Sequence, residues 1–298
     1  MTYRDLYQEG CTLLQDAGIE EYLLDARLLL EYVCGTGRND LLVHGDTEVL
    51  VENEERYRKL LARRRQRIPL QHLTGTQDFM GLEFLVNENV LIPRQDTEIL
   101  VEEILCELHD GMRILDMCTG SGCILISLLN YSNNCYGVGA DISAKALEVA
   151  GENARKLLPD REISTDSFEE DSFESQKCIS LVQGDLFENI SGKYDIIVSN
   201  PPYIASNVIP TLMPEVKEHE PMLALDGEAD GLSFYRRIVT ESARYLRSGG
   251  RLYFEIGYDQ KEAVCGLMEA AGFTEVCAKQ DYAGLDRVVY GIWIEKGE

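Results

Sequence analysis

The feature that most constrains the fold is a succession of strand-like and helix-like segments that begins at Met112. Apolar, β-prone runs and amphipathic runs of helical spacing follow one another: RILDM, CILISLLNY, YGVGAD, AKALEVAGENARKL, ISLVQ, YDIIVSN, SFYRRIVTESARYL, GGRLYFEIG and QKEAVCGLMEAAG. Parallel strands need a crossover connection, usually a helix, so this order is typical of a sheet covered by helices on both faces. We therefore predict an α/β, doubly wound, Rossmann-like sheet within residues 93–298.

The end of the chain departs from this alternation. The segments TEVCAKQ and RVVYGIWIEK both suit strands, and no helical segment separates them. Two strands joined directly form an antiparallel hairpin. The last strand is therefore expected to be antiparallel.

Residues 1–72 carry helical rather than strand-like patterns. Residues recur at helical spacing in three stripes, which are apolar except for Arg64: Leu6, Leu13, Leu14 and Ala17; Leu24, Leu28 and Tyr32; Tyr57, Leu60, Leu61, Arg64 and Ile68, before Pro69. Amphipathic helices bury their apolar faces against each other, so a small helical bundle is predicted here.

A β-hairpin is predicted to link the two parts over residues 73–92. Phe79, Leu82, Phe84 and Val86 are apolar within a strand-like stretch, and Asn87-Glu88-Asn89 offers a turn before three further apolar residues. Such a pattern favours two short strands joined by a turn.

Two charged segments stand out. Residues 158–178 are acidic and serine-rich, which favours a mobile surface insertion. The island Arg63-Arg64-Arg65-Gln66-Arg67 is interpreted as a solvated helix end, with a docking patch for a partner as the alternative.

Composition excludes several classes of function. A net charge of −24 repels phosphate backbones, so no direct nucleic-acid binding is expected. Nine cysteines without a C-x-x-C pair, and four histidines without ligand spacing, indicate reduced thiols and no metal site. With neither a leader nor a long apolar run, we expect a cytoplasmic protein that does not bind membranes.

The stretch RILDMCTGSGCILISLL predicts a strand, a glycine-containing turn and a helix. Gly120 and Gly122 allow a sharp bend and close approach of a ligand, and Ser121 is predicted to cap the helix. The turn is not a dinucleotide fingerprint, because Leu125 occupies the place of its third glycine. Packing glycines remain the alternative explanation.

Carboxylates follow the next two strands. Asp141 ends YGVGAD, where it can accept the hydroxyls of a ribose, and Asp185 lies in GDLF. Asp141 could instead cap the following helix, a role for which Ser143 competes. A nucleoside pocket without phosphate-binding lysines favours S-adenosyl-L-methionine over ATP or NAD.

The peptide Asn200-Pro201-Pro202-Tyr203 follows the fourth strand and lies beside the proposed pocket. Asn200 Oδ1 and the Pro201 carbonyl can accept both hydrogens of a planar amino group, and Pro202 lacks the next N–H donor. Tyr203 offers a flat stacking face. The peptide therefore predicts methyl transfer to a planar nitrogen, with Asn200, Pro201 and Tyr203 as the catalytic residues.

These motifs together resemble the HemK/PrmC family of release factor glutamine N5-methyltransferases. The resemblance includes IPRQDTEILVE, CTGSGCI, ADIS, GDLF, VSNPPYI, EPMLAL, DGLSFYRRI, FEIGYDQ and DYAGLDRVV. NPPY alone is shared with adenine-N6 and some guanine-N2 methyltransferases. The PRQDTE stretch and the N-terminal helices narrow the resemblance to enzymes that modify protein glutamine.

The resemblance implies the glutamine of the Gly-Gly-Gln motif of peptide-chain release factors as substrate, and a monomer is expected. It implies that S-adenosyl-L-methionine contacts Cys118, Thr119, Gly120, Ser121, Gly122, Asp141, Asp185, Leu186 and Asn200. The glutamine site would comprise Asn200, Pro201, Pro202, Tyr203 and Glu220. Arg94 and Glu98 would brace the loop over the cofactor.

Two positions depart from the family pattern. Cys118 stands where glycine is usual, and a positive φ there would cost about 1 kcal/mol. Leu186 stands where some members carry an aromatic residue. Neither change removes a reacting group.

Three alternatives remain open from the sequence. The same chemistry could act on a glutamine of a ribosomal protein, because partner choice depends on surface features. An adenine-N6 or guanine-N2 nucleic-acid methyltransferase is disfavoured by the acidic charge. A non-catalytic cofactor-binding adaptor is disfavoured by the intact Asn200 and Tyr203.

Overall fold

The computed structural model describes residues 1–164 and 178–295. The chain divides into two units: Met1–Thr76 with Met213–His219, and Gln77–Leu212 with Glu220–Glu298. Most of the acidic insertion, residues 165–177, lies outside the described residues, so its predicted mobility stays a prediction.

The helices are α1 (Tyr3–Asp16), α2 (Tyr22–Cys34), α3 (Arg38–Val43), α4 (Val51–Arg64), α5 (Leu70–Thr74), α6 (Asp96–Leu105), α7 (Cys123–Asn130), α8 (Ala144–Leu157), α9 (Pro214–His219), α10 (Met222–Leu225), α11 (Ser233–Ser242) and α12 (Lys261–Ala270). The strands are β1 (Thr76–Phe79), β2 (Leu82–Leu85), β3 (Arg113–Met117), β4 (Tyr136–Asp141), β5 (Glu162–Ser164), β6 (Cys178–Gln183), β7 (Tyr194–Ser199), β8 (Leu246–Glu255), β9 (Thr274–Gln280) and β10 (Asp286–Ile292). Within the described ranges, no helix has both the length and the apolar character needed to cross a bilayer.

The first unit is built from α1 to α5 and α9. Thr2 begins α1 with a capping box, in which its side chain accepts from Asp5 N and Asp5 accepts from Thr2 N. The core contains Leu6, Leu14, Ala26, Leu29 and Leu61, with further apolar residues around them. Helical packing thus buries one face of each long helix.

The predicted apolar stripe of α2 is wrong by about one position. Leu24 and Tyr32 are exposed, whereas Ala26, Leu29 and Leu30 are buried. Leucine is so frequent in YLLDARLLLEYVC that the sequence does not define one apolar face. Packing against α1 and α4 selects the face instead.

The basic island is only partly a solvated helix end. Arg64 is buried; its Nε donates to Asp25 Oδ2 at 2.7 Å and its Nη1 donates to Glu215 Oε1 at 2.9 Å. Arg67 donates to the same Glu215 oxygen at 3.1 Å. Arg63, by contrast, is exposed as predicted. The interpretation as solvated cations is therefore wrong for Arg64 and Arg67.

The second unit begins with the β1–β2 hairpin, whose turn was predicted in the wrong place. Met80 and Gly81 form it, with φ of 52° and 69°, a combination that matches the twist of two-residue hairpins. Glu98 on α6 braces this turn, because its Oε1 accepts from Met80 N at 2.6 Å. Asn87 does begin a later turn, but residues 90–92 form no strand.

The central sheet has the strand order β5-β6-β4-β3-β7-β8-β10-β9. β10 pairs antiparallel with β8 and β9, whereas the pairings of β3 to β8 are parallel, so the prediction of an antiparallel last strand is confirmed. β5 belongs to the segment predicted as a loop, and the loop prediction is wrong for these three residues.

Helices cover both faces of the sheet. Along β3, Ile114 belongs to the core that includes α6, α7 and α8, while Leu115 belongs to the core that includes α11 and α12. Ile196 and Ile197 of β7 divide in the same way. Successive residues of a strand point to opposite faces, so both faces are buried and the doubly wound prediction is confirmed.

The buried ion pairs of the first unit generate a stability prediction. Arg64→Met should lower the free energy of unfolding by about 3 kcal/mol, because Asp25 and Glu215 would lose their buried cation. Urea unfolding of the full chain, followed by circular dichroism, measures the change. Arg63→Met, one position away on the exposed side of α4, is the control and should change stability by less than about 0.5 kcal/mol. Equal destabilisation by both variants would contradict the assigned role of Arg64.

Candidate active site

A cavity lies at the carboxyl edge of the central sheet, where ligands bind in open α/β folds. The turns that follow β3, β4, β6 and β7 line it, with residues 118–121, 141–143 and 184–186 and Asn200 among the lining residues. The structure thus brings the predicted cofactor residues to one cavity, except Gly122, which lies behind the turn. Pro202 also lines it, but Pro201, Tyr203 and Glu220 do not.

The turn after β3 has the conformation that its glycines suggested. Cys118, Gly120 and Gly122 have φ of 60°, 56° and 79°. Cys118 therefore adopts the left-handed conformation that disfavours a side chain, at a cost of about 1 kcal/mol. A Cβ at Gly122 would lie 2.8 Å from Ile126 Cδ1, so glycine is also required there for the helix to pack.

Ser121 does not cap α7, contrary to the prediction. Gly122 is the N-cap residue, and no side chain caps the helix. The Ser121 carbonyl instead accepts from Asn153 Nδ2 at 3.0 Å, which fastens the turn to α8. A bend that needs positive φ at Gly122 leaves Ser121 outside the capping position.

Asp141 ties the glycine turn to the end of β4. Its Oδ2 accepts from Gly120 N and its Oδ1 from Ser143 N, both at 2.9 Å. Ser143 caps α8 by accepting from Ala146 N, so the capping alternative for Asp141 is not realised. Burial raises the pKa of Asp141, and the backbone donors oppose that rise. Each carboxylate oxygen retains a further lone pair that can accept from a ribose hydroxyl.

Asp185 and Leu186 lie after β6, as predicted. Asp185 Oδ2 accepts from Arg237 Nη2 at 2.8 Å, and Arg237 also lines the cavity. Leu186 is buried and has φ of 53°. Arg237 was not predicted as a site residue, although it lies in the DGLSFYRRI stretch that carried the resemblance.

Asp116, in β3, is a buried residue that was not predicted from the sequence. Its Oδ2 accepts from Thr119 Oγ1 at 2.6 Å, and its Oδ1 has no hydrogen bond with any described residue. Burial raises its pKa to about 7. An aspartate within an otherwise apolar strand is the signal that could have identified it.

Asn200 lies beside the glycine turn because β7 pairs with β3. The last paired residues are Met117 and Ser199, so Cys118 and Asn200 leave the sheet side by side. Asn200 Nδ2 donates to Thr97 Oγ1 at 3.4 Å. With its nitrogen engaged, Asn200 keeps its carbonyl oxygen as the atom that can accept a hydrogen bond.

The backbone of Tyr203 is held tightly from one side. A Cβ at Gly231 would lie 2.3 Å from the Tyr203 carbonyl oxygen, and one at Gly227 would lie 2.8 Å from its backbone. Gln260 Nε2 donates to the same carbonyl at 3.0 Å. These contacts make the Asn200–Tyr203 peptide a stiff element, beyond what its prolines impose.

The Tyr203 side chain is not among those that line the cavity. Its hydroxyl donates to Glu255 Oε1 at 3.4 Å, and burial raises the pKa of the phenol. Glu255, the last residue of β8, is buried and was not identified from the sequence. A carboxylate in the apolar run YFEIG was the available signal.

Glu220 forms an ion pair instead of facing the cavity. Arg94 Nη2 donates to both of its carboxylate oxygens, at 2.6 and 2.8 Å. Burial raises the pKa of Glu220, and Arg94 opposes that rise. Arg94 itself lines the cavity, with Pro221 nearby.

Comparisons with known proteins agree with this arrangement. Residues 5–75 match the PrmC N-terminal domain, and residues 108–293 match a methyltransferase domain. The release factor glutamine methyltransferase of Caulobacter vibrioides is 41% identical, over 94% of this chain and 92% of that protein. That of Clostridium acetobutylicum is 36% identical, over 98% of this chain and 99% of that protein.

The chain belongs to the release factor glutamine methyltransferase family. Membership in this family confirms the predicted family, enzyme class and dependence on S-adenosyl-L-methionine. A solved methyltransferase from Pyrococcus furiosus has the same fold, with a TM-score of 0.50 and 16% identity over 78% of this chain and 98% of that one. Among the residues that the structure describes, no cluster of His, Cys, Asp or Glu side chains could hold a metal ion.

Asp141 generates a prediction for cofactor binding. Asp141→Asn should weaken S-adenosyl-L-methionine binding by about tenfold, because one acceptor oxygen and its charge are lost from a site facing backbone and ligand donors. Isothermal titration calorimetry measures the dissociation constant. Asp160→Asn makes the same change at an exposed position after α8 and should leave it within about twofold. Unchanged affinity in Asp141→Asn would contradict the ribose assignment.

Proposed function

We infer that the protein transfers a methyl group from S-adenosyl-L-methionine to N5 of the glutamine in the Gly-Gly-Gln motif of peptide-chain release factors. The single observation that carries this inference is the place of Asn200, one residue beyond the paired ends of β3 and β7 and beside the glycine turn. Membership in the family supplies the substrate class.

The residues present fit the cofactor. Gly120 and Gly122 place no side chains in the turn, in which Cys118 shares their left-handed conformation, and Asp141 offers acceptors at its edge. Thr119, Ser121, Asp185 and Leu186 complete the proposed contacts. When bound, S-adenosyl-L-methionine supplies an electrophilic methyl carbon on a positively charged sulfur.

The Asn200–Pro201 pair activates the glutamine amide in this proposal. A carboxamide nitrogen is a poor nucleophile, because its lone pair is delocalised into the carbonyl group. Asn200 Oδ1 and the Pro201 carbonyl accept its two hydrogens, which favours a pyramidal nitrogen and stabilises the positive charge that develops on it. Pro202 has no N–H that could compete for those acceptors.

Tyr203 and Glu220 contribute less directly than the sequence suggested. We assign Tyr203 the task of holding the peptide, because its ring packs toward Glu255 and only its backbone follows the acceptor carbonyl. Glu220 acts through Arg94, which lines the cavity that receives the glutamine. Pro202 forms part of the cavity wall.

The two parts of the chain divide the work in this proposal. The helical residues 1–72 recognise the body of the release factor, and residues 93–298 hold its glutamine and the cofactor. Residues 73–92 connect these two parts of the chain. The match of residues 5–75 to the PrmC N-terminal domain supports the first assignment. We further propose that the protein acts as a cytoplasmic monomer and, given its net charge of −24, without direct contact to nucleic acid.

A transfer assay tests the substrate. The protein is incubated with methyl-labelled S-adenosyl-L-methionine and, separately, a release factor, a large-subunit ribosomal protein and duplex DNA. Label should appear on the release factor, and a release factor with Gln→Glu in its Gly-Gly-Gln motif should remain unlabelled. Label on the ribosomal protein alone, or on DNA alone, would overturn the proposed substrate.

Asn200→Ala tests the chemistry. Loss of an acceptor for the developing charge should lower kcat by roughly 100-fold or more, with a much smaller change in cofactor affinity. Steady-state methylation of a release factor, together with calorimetry, separates these two quantities. Asn207→Ala, an exposed asparagine later in the same segment, is the matched control and should behave as the wild type. A kcat for Asn200→Ala near that of Asn207→Ala would remove the role assigned to Asn200.

A further inference from the structure

A buried hydrogen-bonded group lies behind the residues that receive the glutamine. Thr97, in the first turn of α6, and Glu255, at the end of β8, are each 2% exposed. Asn200 Nδ2 donates to Thr97 Oγ1, and the Tyr203 hydroxyl donates to Glu255 Oε1, each at 3.4 Å. The Thr97 hydroxyl is also near enough to the Glu255 carboxyl to lower its pKa. The two ends of the Asn200–Tyr203 peptide are therefore both connected to the buried Glu255 carboxyl, Asn200 through Thr97 and Tyr203 directly.

The Glu255 carboxyl is held in an environment where its charge can change. Burial raises its pKa to about 7, while the Thr97 hydroxyl and Arg287 lower it and Asp96 raises it further. Arg287 is shared, because its Nη2 pairs with Asp96 and Asp281 at 3.1 Å each. Glu255 Oε2 has no hydrogen-bond partner among the described residues, so it can still take a hydrogen from a neighbouring hydroxyl.

Hydrogen-bond direction links this carboxyl to the Asn200 amide. An ionised carboxylate only accepts, so a neighbouring hydroxyl must point its hydrogen toward it. Thr97 has one hydroxyl hydrogen; when that hydrogen points to Glu255, the Thr97 oxygen is left to accept from Asn200 Nδ2. A protonated Glu255 could donate to Thr97 instead, and the Thr97 hydrogen could then turn to Asn200 Oδ1.

We propose that Glu255 and Thr97 are positioning residues, which orient the Asn200 amide so that its carbonyl oxygen faces the glutamine. Ionised Glu255 takes the Thr97 hydrogen, Thr97 takes a hydrogen of Asn200 Nδ2, and Asn200 Oδ1 is kept for the substrate. Tyr203 donates to the same carboxylate, which fixes the other end of the peptide. This arrangement rests on the proposed function of Asn200 and explains why a carboxyl is buried behind it.

The proposed hydrogen bonds from Asn200 to Thr97 and from Thr97 to Glu255 form a relay. Substitution of Thr97 tests this relay without changing Glu255. Thr97→Val keeps the shape of the side chain and removes the hydroxyl, so kcat should fall by about tenfold, less than for Asn200→Ala. KM for the release factor and cofactor affinity should each change by less than about threefold, and Thr97→Ser should recover most of the lost kcat. Ser127→Ala, which removes a buried hydroxyl on α7 outside the site, is the control. Equal kcat in Thr97→Val and Thr97→Ser would overturn the proposal.

A pH profile tests Glu255 itself. Its carboxyl is ionised above pH 7 and protonated below it, so wild-type kcat should be roughly tenfold lower at pH 6 than at pH 8. Residue 255 cannot titrate in Glu255→Gln, so kcat of this variant should be reduced and should no longer fall between pH 8 and pH 6. Asp116, whose pKa is also raised to about 7, could produce a similar fall in kcat. A fall in kcat that persists in Glu255→Gln would therefore contradict the role of Glu255.

The outcomes separate this proposal from the proposed function. A fully active Asn200→Ala would mean that the role of Asn200 is wrong, and the relay would fail with it. An inactive Asn200→Ala beside a fully active Thr97→Val would leave the role of Asn200 intact and overturn the relay alone. If the relay is right, Thr97→Val should add little to the loss already caused by Asn200→Ala in the double variant.

Discussion

The parallel pairing of β3 with β7 is the interaction on which the site depends. Its register, from Ile114 opposite Ile196 to Met117 opposite Ser199, ends both strands at one level of the sheet. Ser199 Oγ donates to the Met117 carbonyl at 2.8 Å and pins that end. A shift of one residue would turn the side chains of either strand to the opposite face, so the register decides whether the glycine turn and Asn200 meet.

Close packing makes this edge of the central sheet stiff, and some of the residues involved lower the stability of the fold. Cys118 and Leu186 hold positive φ values that suit glycine better, and Asp116 and Glu255 are carboxyls buried with one oxygen each left without a hydrogen bond among the described residues. Such features destabilise a fold and are tolerated where the surrounding structure over-determines them. The apolar cores on both faces of the sheet provide that support.

Much of the fold could be predicted, because the apolar runs from RILDM to RVVYGIWIEK correspond closely to strands of the central sheet, although the edge strand β9 is largely exposed. The hairpin turn was misplaced, because Met80 adopts a left-handed conformation that its residue type does not suggest. The buried ion pairs of Arg64 were missed for a different reason. One of its partners, Glu215, lies 151 residues away in the chain, and no local pattern reports such a pair.

The sequence by itself determined which segments form most strands of the central sheet, the chemistry of the Asn200–Tyr203 peptide and the acceptors at the strand ends, because these depend on residue type and local spacing. Only the tertiary structure decided which of those groups are free to meet a ligand. Asp185 pairs with Arg237, Glu220 with Arg94, and the Tyr203 hydroxyl with Glu255. These pairs form between residues far apart in the chain, so they exist only once the sheet and its helices bring them within hydrogen-bonding distance.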